Sequence, residues 1–215
     1  MAVCQENGNK SEQVYSFDPL LYNGKVYYFF PRPGTVGTQY LLDSFDPRGS
    51  LTVRGITYTD LILNYDIYNQ KLVLKYKNPI GSLNFIEISF AWLEKFELGG
   101  KKFDILATVD TTKQIYQVIG TGQSKILYFL SKKLRIENLT ESSDHFFART
   151  QKEMYVYDGN KRVKYTNNRS FMRAFSLALH DPISKYLRKH KLKVQKANDI
   201  QMNELINYCN SLTGT

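Results

Sequence analysis

Cysteine and histidine are scarce in this sequence of 215 residues, which has two cysteines and three histidines. Cys4 and Cys209 lie near opposite ends, so the chain has neither a disulfide framework nor a cysteine-based metal site. His145, His180 and His190 have no second histidine or carboxylate at metal-ligand spacing. We therefore expect no metal ion and no cofactor.

Long uncharged runs are also missing. The longest, residues 114–124 and 205–215, have 11 residues each, whereas a membrane-spanning helix needs about 20 apolar residues. We therefore expect no transmembrane segment. Motifs of catalysis are absent as well: no serine lies in a GxSxG pattern, and residues 120–125 lack the spacing of a phosphate-binding loop. We interpret residues 120–125 as a hairpin connection and nominate no catalytic residue.

Aromatic residues are abundant, with 16 Tyr and 13 Phe but a single Trp, and 42% of the chain is hydrophobic. That many aromatic side chains can offset the entropy of ordering the chain, which excludes intrinsic disorder over most of its length. The length suggests one domain, or one domain with an appendage.

The charge is unevenly distributed. Residues 1–110 contain 11 Lys and Arg against 12 Asp and Glu, and residues 111–215 contain 18 against 8. The overall charge of +9 therefore comes from the second half. Such asymmetry is typical of a protein with an anionic partner, although a solvated helical surface produces the same pattern.

Residues 14–165 show the two-residue period of β-strands. Apolar and polar residues alternate over residues 86–90, and the apolar side chains of residues 61–67 and 72–76 each share one face. Asn23-Gly24, Gly99-Gly100 and Asp158-Gly159 predict tight hairpin turns, and residues 68–71 predict a weaker one. The fold class is therefore predicted as mainly β, an antiparallel meander that forms a twisted sheet, a sandwich or a partly open barrel.

The last fifty residues show helical periodicity instead, which predicts about three helices. The first has an apolar stripe from Phe171 to Leu179 and Asn168 or Ser170 as its cap, and the second has Asp181 as its cap. The third has its stripe from Met202 to Leu212, with Asn198 or Asp199 as its cap.

Three segments follow from these patterns: a tail over residues 1–13, an antiparallel β domain over 14–165, and a helical segment over 166–215 packed on the β domain. In the tail, Ala2 and Cys4 occupy the small-residue positions of a signal-peptidase site. Cys4 is alternatively a lipid-attachment residue, or the tail has no such role.

Several motifs together resemble a family of uncharacterised exported proteins of Bacteroidetes bacteria. They are residues 55–58, 63–67, 70–73, 96–103, 116–119, 155–159 through 170–171, 183–187 and 205–208, within a stretch from about 20 to 212. The resemblance implies a β-rich protein that is exported to the periplasm or the outer membrane. It implies no activity.

The sequence thus predicts a non-enzymatic structural or interaction protein of the cell envelope. Its partner would be an anionic glycan, a lipid headgroup or an envelope protein, bound by basic residues near the C-terminus: Lys185, Arg188, Lys189, Lys191 and Lys193.

Two alternatives remain. One is an envelope hydrolase with carboxylates at the rim of the β structure. Asp43, Asp46, Asp60 and Asp66 cluster in the sequence, but acids are expected at turns between strands in any case. The other is a nucleic-acid-binding module, which requires aromatic and basic side chains on one face. The segregation of the basic residues into the helical end argues against nucleic acid.

Overall fold

The computed structural model describes residues 18–22, 24–45, 47–78, 80–107, 112–137 and 144–213. The predicted tail with Ala2 and Cys4 lies outside the described residues, as do Asn23 and Asp46. The chain divides into two compact units: unit 1 comprises residues 1–114 and 131–150, and unit 2 comprises residues 115–130 and 151–215.

The chain is mainly β, with three helices near its C-terminus, which confirms the predicted fold class. A short helix near residue 20 was not predicted. In chain order the elements are α1 (Pro19–Tyr22), β1 (Lys25–Val26), β2 (Arg48–Val53), β3 (Ile56–Asp66), β4 (Lys71–Lys77), β5 (Leu83–Glu87), β6 (Leu93–Leu98), β7 (Lys101–Ala107), β8 (Lys113–Ile119), β9 (Lys125–Ser131), β10 (Leu134–Glu137), β11 (Asp144–Phe147), β12 (Gln151–Tyr157), β13 (Arg162–Tyr165), α2 (Asn168–Met172), α3 (His180–Lys189) and α4 (Asp199–Thr213).

Unit 1 contains an open antiparallel sheet with the strand order β1-β5-β4-β3-β2-β6-β7. Most neighbours in this order are also consecutive in the chain, because short turns can join only antiparallel strands. Strands β10 and β11 form a separate antiparallel pair. The core of unit 1 includes an aromatic cluster: the ring of Phe96 stacks on Phe103 at 4.5 Å, and Tyr65 meets both rings edge-on.

The predicted turns at residues 68–71 and 99–100 join β3 to β4 and β6 to β7. Gly99 and Gly100 have φ values of 58° and 72°, the left-handed conformation that a type I′ turn requires at both central residues. A further turn, at Arg54 and Gly55 between β2 and β3, has the same conformation and was not predicted. The strand predicted over residues 86–90 is displaced: β5 ends at Glu87, and the Ser89 carbonyl begins a turn by accepting from the amide of Leu93 at 3.0 Å.

Unit 2 contains four strands in the order β8-β9-β12-β13, followed by the three C-terminal helices. The predicted connections at residues 120–125 and 158–159 join β8 to β9 and β12 to β13. Helix α4 packs on this sheet through a fully buried stripe consisting of Met202, Leu205, Ile206 and Cys209. Two polar contacts hold it there: Gln117 Nε2 donates to Asp199 Oδ2 at 2.7 Å, and the Ser124 amide donates to Asn210 Oδ1 at 2.8 Å.

The first two predicted helices begin or end elsewhere. Helix α2 stops at Met172, and its cap is Asn167, whose side chain accepts from the Ser170 amide at 2.9 Å while the Ser170 hydroxyl accepts from the Asn167 amide at 3.0 Å. The prediction of Asn168 or Ser170 as the cap was therefore wrong.

Helix α3 begins at His180 and not after Asp181, because a 3₁₀ turn (Leu177–Leu179) leads directly into it. Asp181 lies in its first turn, and Pro182 follows at a position where no backbone donor is needed. Helix α4 has the predicted Asn198 cap, whose Oδ1 accepts from the Gln201 amide at 2.9 Å.

Candidate functional site

The five basic residues nominated from the sequence, here called the basic cluster, are all exposed: Lys185, Arg188, Lys189, Lys191 and Lys193. Helix α3 explains the first three. Ile183 and Leu187 are buried one turn apart on its inner face, and the 3.6-residue period places residues 185, 188 and 189 away from them. The amphipathic pattern thus both anchors the helix and presents the cations to solvent.

The end of α3 is held by a Schellman motif centred on a lysine. The amide of Leu192 donates to the carbonyl of Leu187 at 2.8 Å, and the amide of Lys191 donates to the carbonyl of Arg188 at 3.0 Å. Lys191 has a φ of 48°, a left-handed conformation usually occupied by glycine at this position of the motif. The side chains of Leu187 and Leu192 are both buried, as the motif favours.

The segment after α3 continues the separation of cations from apolar residues. Leu192 and Val194 are buried, whereas Lys191 and Lys193 are exposed. Asn168 fixes this segment to α2: its Nδ2 donates to the Leu192 carbonyl at 2.8 Å, and its Oδ1 accepts from the Val194 amide at 2.9 Å. Asn168, expected to cap a helix, therefore positions the backbone that carries Lys191 and Lys193.

The stretch of chain that carries the basic cluster is positively charged. Residues 182–198 include six Lys and Arg and no acidic residue. Within the part of the chain that the structure describes, none of the five cations forms a salt bridge. Arg188 Nη2 donates to Ser184 Oγ at 3.1 Å. Cations at a helix C-terminus also interact favourably with the helix dipole, which gives Arg188 and Lys189 a role in stability as well.

The carboxylates of the hydrolase hypothesis do not share an environment. Asp66 is fully buried and accepts from Tyr27 Oη at 2.5 Å, from Asn69 Nδ2 at 2.7 Å, and from the amides of Tyr68 and Asn69. Burial, with the hydrogen bond to Asp66, raises the pKa of Tyr27 well above its usual value. Asp66 therefore holds together the β3–β4 turn and the segment after β1.

Asp60 lies at a surface cleft of unit 1 with a volume of about 330 Å³, which Glu97 also lines. Each carboxylate faces a cation: Arg48 Nη1 lies 3.7 Å from Asp60 Oδ2, and Lys102 Nζ lies 3.6 Å from Glu97 Oε1. Both side chains are more than half exposed, whereas the general acid of a glycosidase is typically held in a buried, apolar environment. Asp43 is exposed. Among the described residues, none of these carboxylates forms the pair that the hydrolase hypothesis requires, and the hypothesis stays a prediction.

Aromatic and basic side chains do meet on one face of the unit 2 sheet. Arg162 Nη1 donates to Tyr116 Oη at 2.5 Å, Tyr116 meets Tyr155 edge-on at 6.0 Å, and Lys164 Nζ lies 2.6 Å from Glu153 Oε2. The cations of this face are thus engaged by tyrosine and glutamate within the protein. In the part of the chain that the structure describes, the five cations of the basic cluster have no tyrosine or carboxylate partner.

The sequence identified the basic cluster but missed its geometry. Nothing in the sequence marks Lys191 as a residue with positive φ, and the Asn168 contacts span more than twenty residues. The Asp66 network was missed for the same reason, since Tyr27 lies 39 residues away in the chain.

No protein-family model, curated protein or solved structure matches the chain. The resemblance to exported Bacteroidetes proteins therefore stays a prediction. In the described residues, no helix is both long and apolar enough to cross a bilayer, and no His, Cys, Asp and Glu side chains are grouped as metal ligands.

Proposed function

We propose that this chain is a non-enzymatic binding protein that meets an anionic partner through the basic cluster. The observation that carries the proposal is the strict separation from Lys185 to Val194 of exposed cations from buried apolar anchors, within a stretch, residues 182–198, that contains no acidic residue. A cation without an internal partner keeps its full charge available for an external anion.

Lys191 adds a second argument. A lysine at positive φ costs free energy that a glycine would not. Residues held in unfavourable conformations concentrate at functional sites, where the side chain has a use that offsets the strain. A glycine at position 191 would relieve the strain but would remove the positive charge, which is therefore the property that we expect to be used.

We further propose that the protein acts in the cell envelope after export. The supporting observations are the small residues Ala2 and Cys4 at signal-peptidase positions and the resemblance described above. Fractionation of cells that express the complete native gene tests this location. Recovery of the protein in the cytoplasmic fraction alone would contradict it.

The binding proposal is tested with the full chain on dextran sulfate resin, a polyanion without hydrocarbon. We expect binding at 50 mM NaCl that weakens steeply with salt, because exposed charges are screened. The double variant Lys185→Glu/Lys189→Glu should elute at clearly lower salt. The matched control is Lys77→Glu/Lys113→Glu, which makes the same charge change at two exposed residues of unit 1.

Equal elution of the two double variants would overturn the proposal, because it would assign binding to net charge and not to the basic cluster. Binding that does not respond to salt would also overturn it. Circular dichroism of both variants should match the parent protein, since all four lysines are exposed.

A further inference from the structure

A column of three aromatic rings adjoins the basic cluster. The ring of Tyr186 on α3 stacks on that of His190, the residue that caps α3, with centroids 4.2 Å apart and planes 24° from parallel. It also stacks on Tyr208 of α4, at 4.4 Å and 20°. Two near-parallel rings seated on one face of Tyr186 would collide at these distances, because aromatic carbons approach no closer than about 3.5 Å. Tyr208 and His190 therefore cover opposite faces of Tyr186, which is the middle ring of the column.

The column ends at His190, which is exposed, whereas Tyr186 and Tyr208 are half-buried. Tyr186 covers one face of the imidazole, and in the described part of the chain His190 has no other ring contact. The backbone fixes its position: the His190 amide donates to the Tyr186 carbonyl at 3.0 Å, and the Schellman motif at Lys191 follows directly. This arrangement leaves the second face of the imidazole free to stack on a planar group from outside.

Positive charge accompanies the open end of the column. His190 lies between Lys189 and Lys191 in the chain, and both lysines are exposed. One acid acts on the column: burial raises the pKa of Tyr186, and the negative charge of Glu204 raises it further. Glu204 belongs to α4, the helix that carries Tyr208 at the other end of the column. The open end therefore combines an aromatic face with neighbouring cations.

Planar groups on an anionic backbone are the distinguishing feature of single-stranded nucleic acid. Its bases are free to stack on aromatic side chains, and each nucleotide carries a phosphate for a lysine or an arginine. A duplex buries the faces of its bases, and a sulfated glycan or a lipid headgroup has no planar ring. Each of these partners would engage the cations and leave the face of His190 unused.

In the sequence, the basic residues are segregated into the helical end, which argued against nucleic acid. The column removes this objection, because it places three aromatic rings at the same end. Resting on the function proposed above, we propose that the basic cluster and His190 bind single-stranded nucleic acid, with a base stacked on the imidazole and neighbouring phosphates on Lys189 and Lys191. The proposed location is tested separately, by the fractionation described above.

Fluorescence anisotropy of the full chain tests this binding with two labelled probes of equal length. One is an oligothymidylate of about 20 nucleotides, and the other is an abasic oligomer with the same phosphates and no bases. The parent protein should bind both probes less tightly as NaCl rises from 50 to 200 mM, because phosphate contacts release counterions. It should bind the oligothymidylate at least about fivefold more tightly than the abasic oligomer, since a stacked base adds affinity that an abasic site lacks.

The decisive variant is His190→Ala, measured at pH 8, above the usual titration range of histidine. It should weaken binding of the oligothymidylate at least about fivefold, and leave binding of the abasic oligomer and elution from dextran sulfate at parental values. His190→Phe keeps a planar ring and should retain most of the parental affinity for the oligothymidylate. The matched control is Tyr28→Ala: Tyr28 is 78% exposed but lies in unit 1, so the loss of its ring should change none of these measurements.

The outcomes distinguish nucleic-acid binding from the proposed function. Retention on dextran sulfate that depends on the basic cluster, together with equal affinities for the two oligomers, would overturn nucleic-acid binding and leave polyanion binding intact. Parental binding of the oligothymidylate by His190→Ala, or equal losses in His190→Ala and His190→Phe, would overturn stacking on His190. Failure to bind both the resin and the oligomers would overturn both proposals.

Discussion

The backbone amide of Leu192 donates a hydrogen bond to the carbonyl of Leu187, and this 2.8 Å contact fixes the conformation of the lysine between them and the exit of the chain from α3. Lys191 must adopt a φ of 48° for the contact to form. Stability and binding therefore favour different residues at position 191: glycine adopts this backbone conformation without strain, whereas lysine supplies a charge for an anionic partner.

Lys191→Gly should increase stability and weaken binding to a polyanion. Relief of the strained conformation should raise the free energy of unfolding by roughly 0.5–1 kcal/mol, as measured by urea denaturation. The same variant should elute from dextran sulfate at lower salt. Lys193→Gly is the control, because Lys193 is also exposed but has no positive φ: it should lose binding without gaining stability. A Lys191→Gly variant that is less stable than the parent would contradict the argument.

Asp66 should contribute strongly to the stability of unit 1. Asp66→Ala removes the acceptor of the buried Tyr27 hydroxyl and of the Asn69 side-chain and backbone donors. Buried donors without acceptors are costly, so we expect a loss of about 3 kcal/mol or more in urea denaturation. Asp60→Asn, at an exposed carboxylate, should change stability by less than about 0.5 kcal/mol. Comparable losses in the two variants would refute a special role for the Asp66 network.

Tyr128 and Tyr165 should make stability depend on alkaline pH. Both rings are buried and neither hydroxyl has a hydrogen-bond partner of good geometry. Burial raises the pKa of Tyr128 to about 12 and that of Tyr165 further. The unfolded chain releases these protons near pH 10, before the folded chain does, so the free energy of unfolding should fall as pH rises from 10 to 12.

Tyr128→Phe isolates this effect from the titration of lysines. The variant should be as stable as the parent near pH 7, or somewhat more stable, because no hydrogen bond of good geometry is lost. Its denaturation midpoint should fall less between pH 10 and 12 than that of the parent. If the denaturation midpoints of the two proteins fall equally between pH 10 and 12, the pKa of Tyr128 is the same in the folded and the unfolded chain.

Gly120 should be intolerant of any side chain. It has a φ of 92°, and a Cβ atom there would lie 2.7 Å from Cγ2 of Ile206 on α4. Gly159 has a φ of 98° but no atom within 4 Å of such a Cβ. Gly159→Ala should therefore lose about 1 kcal/mol from strain alone, and Gly120→Ala should lose about 1–3 kcal/mol more from the clash. Equal losses, measured by thermal or urea unfolding, would mean that α4 shifts freely to accommodate the new methyl group.

Local sequence patterns predicted the elements better than their ends. Glycine pairs located the Gly99-Gly100 turn because both residues need positive φ, and period-two alternation located β3 and β4. The turn at Arg54 was missed since an arginine rarely adopts its φ of 48°. The cap of α2 was predicted at Asn168 or Ser170 and lies at Asn167, because Asn167 and Asn168 have the same chemistry and only the contact of Asn168 with Val194 assigns their roles.

For the candidate site, the sequence predicted which residues are charged, whereas their backbone conformation and contacts follow only from the tertiary structure. The run of lysines is visible without coordinates, and its exposed helical face follows from the spacing of Ile183 and Leu187. That Leu177 lies exposed could not be predicted, because the helical period over residues 171–179 assigned its neighbours Ala178 and Leu179 to a buried stripe. In the structure, Leu177–Leu179 form a 3₁₀ turn in which no residue is buried.

The division of the chain has a practical consequence for protein engineering. The chain passes between the two units at residues 114–115, 130–131 and 150–151. A fragment that starts at residue 151 keeps the basic cluster but loses β8 and β9, and with them Gln117, which anchors α4. Removal of residues 1–114 retains both strands but also retains residues 131–150, which belong to unit 1. Unit 2 should therefore be isolated by removing residues 1–114 and by replacing residues 131–150 with a short linker between residues 130 and 151. A single truncation does not isolate it.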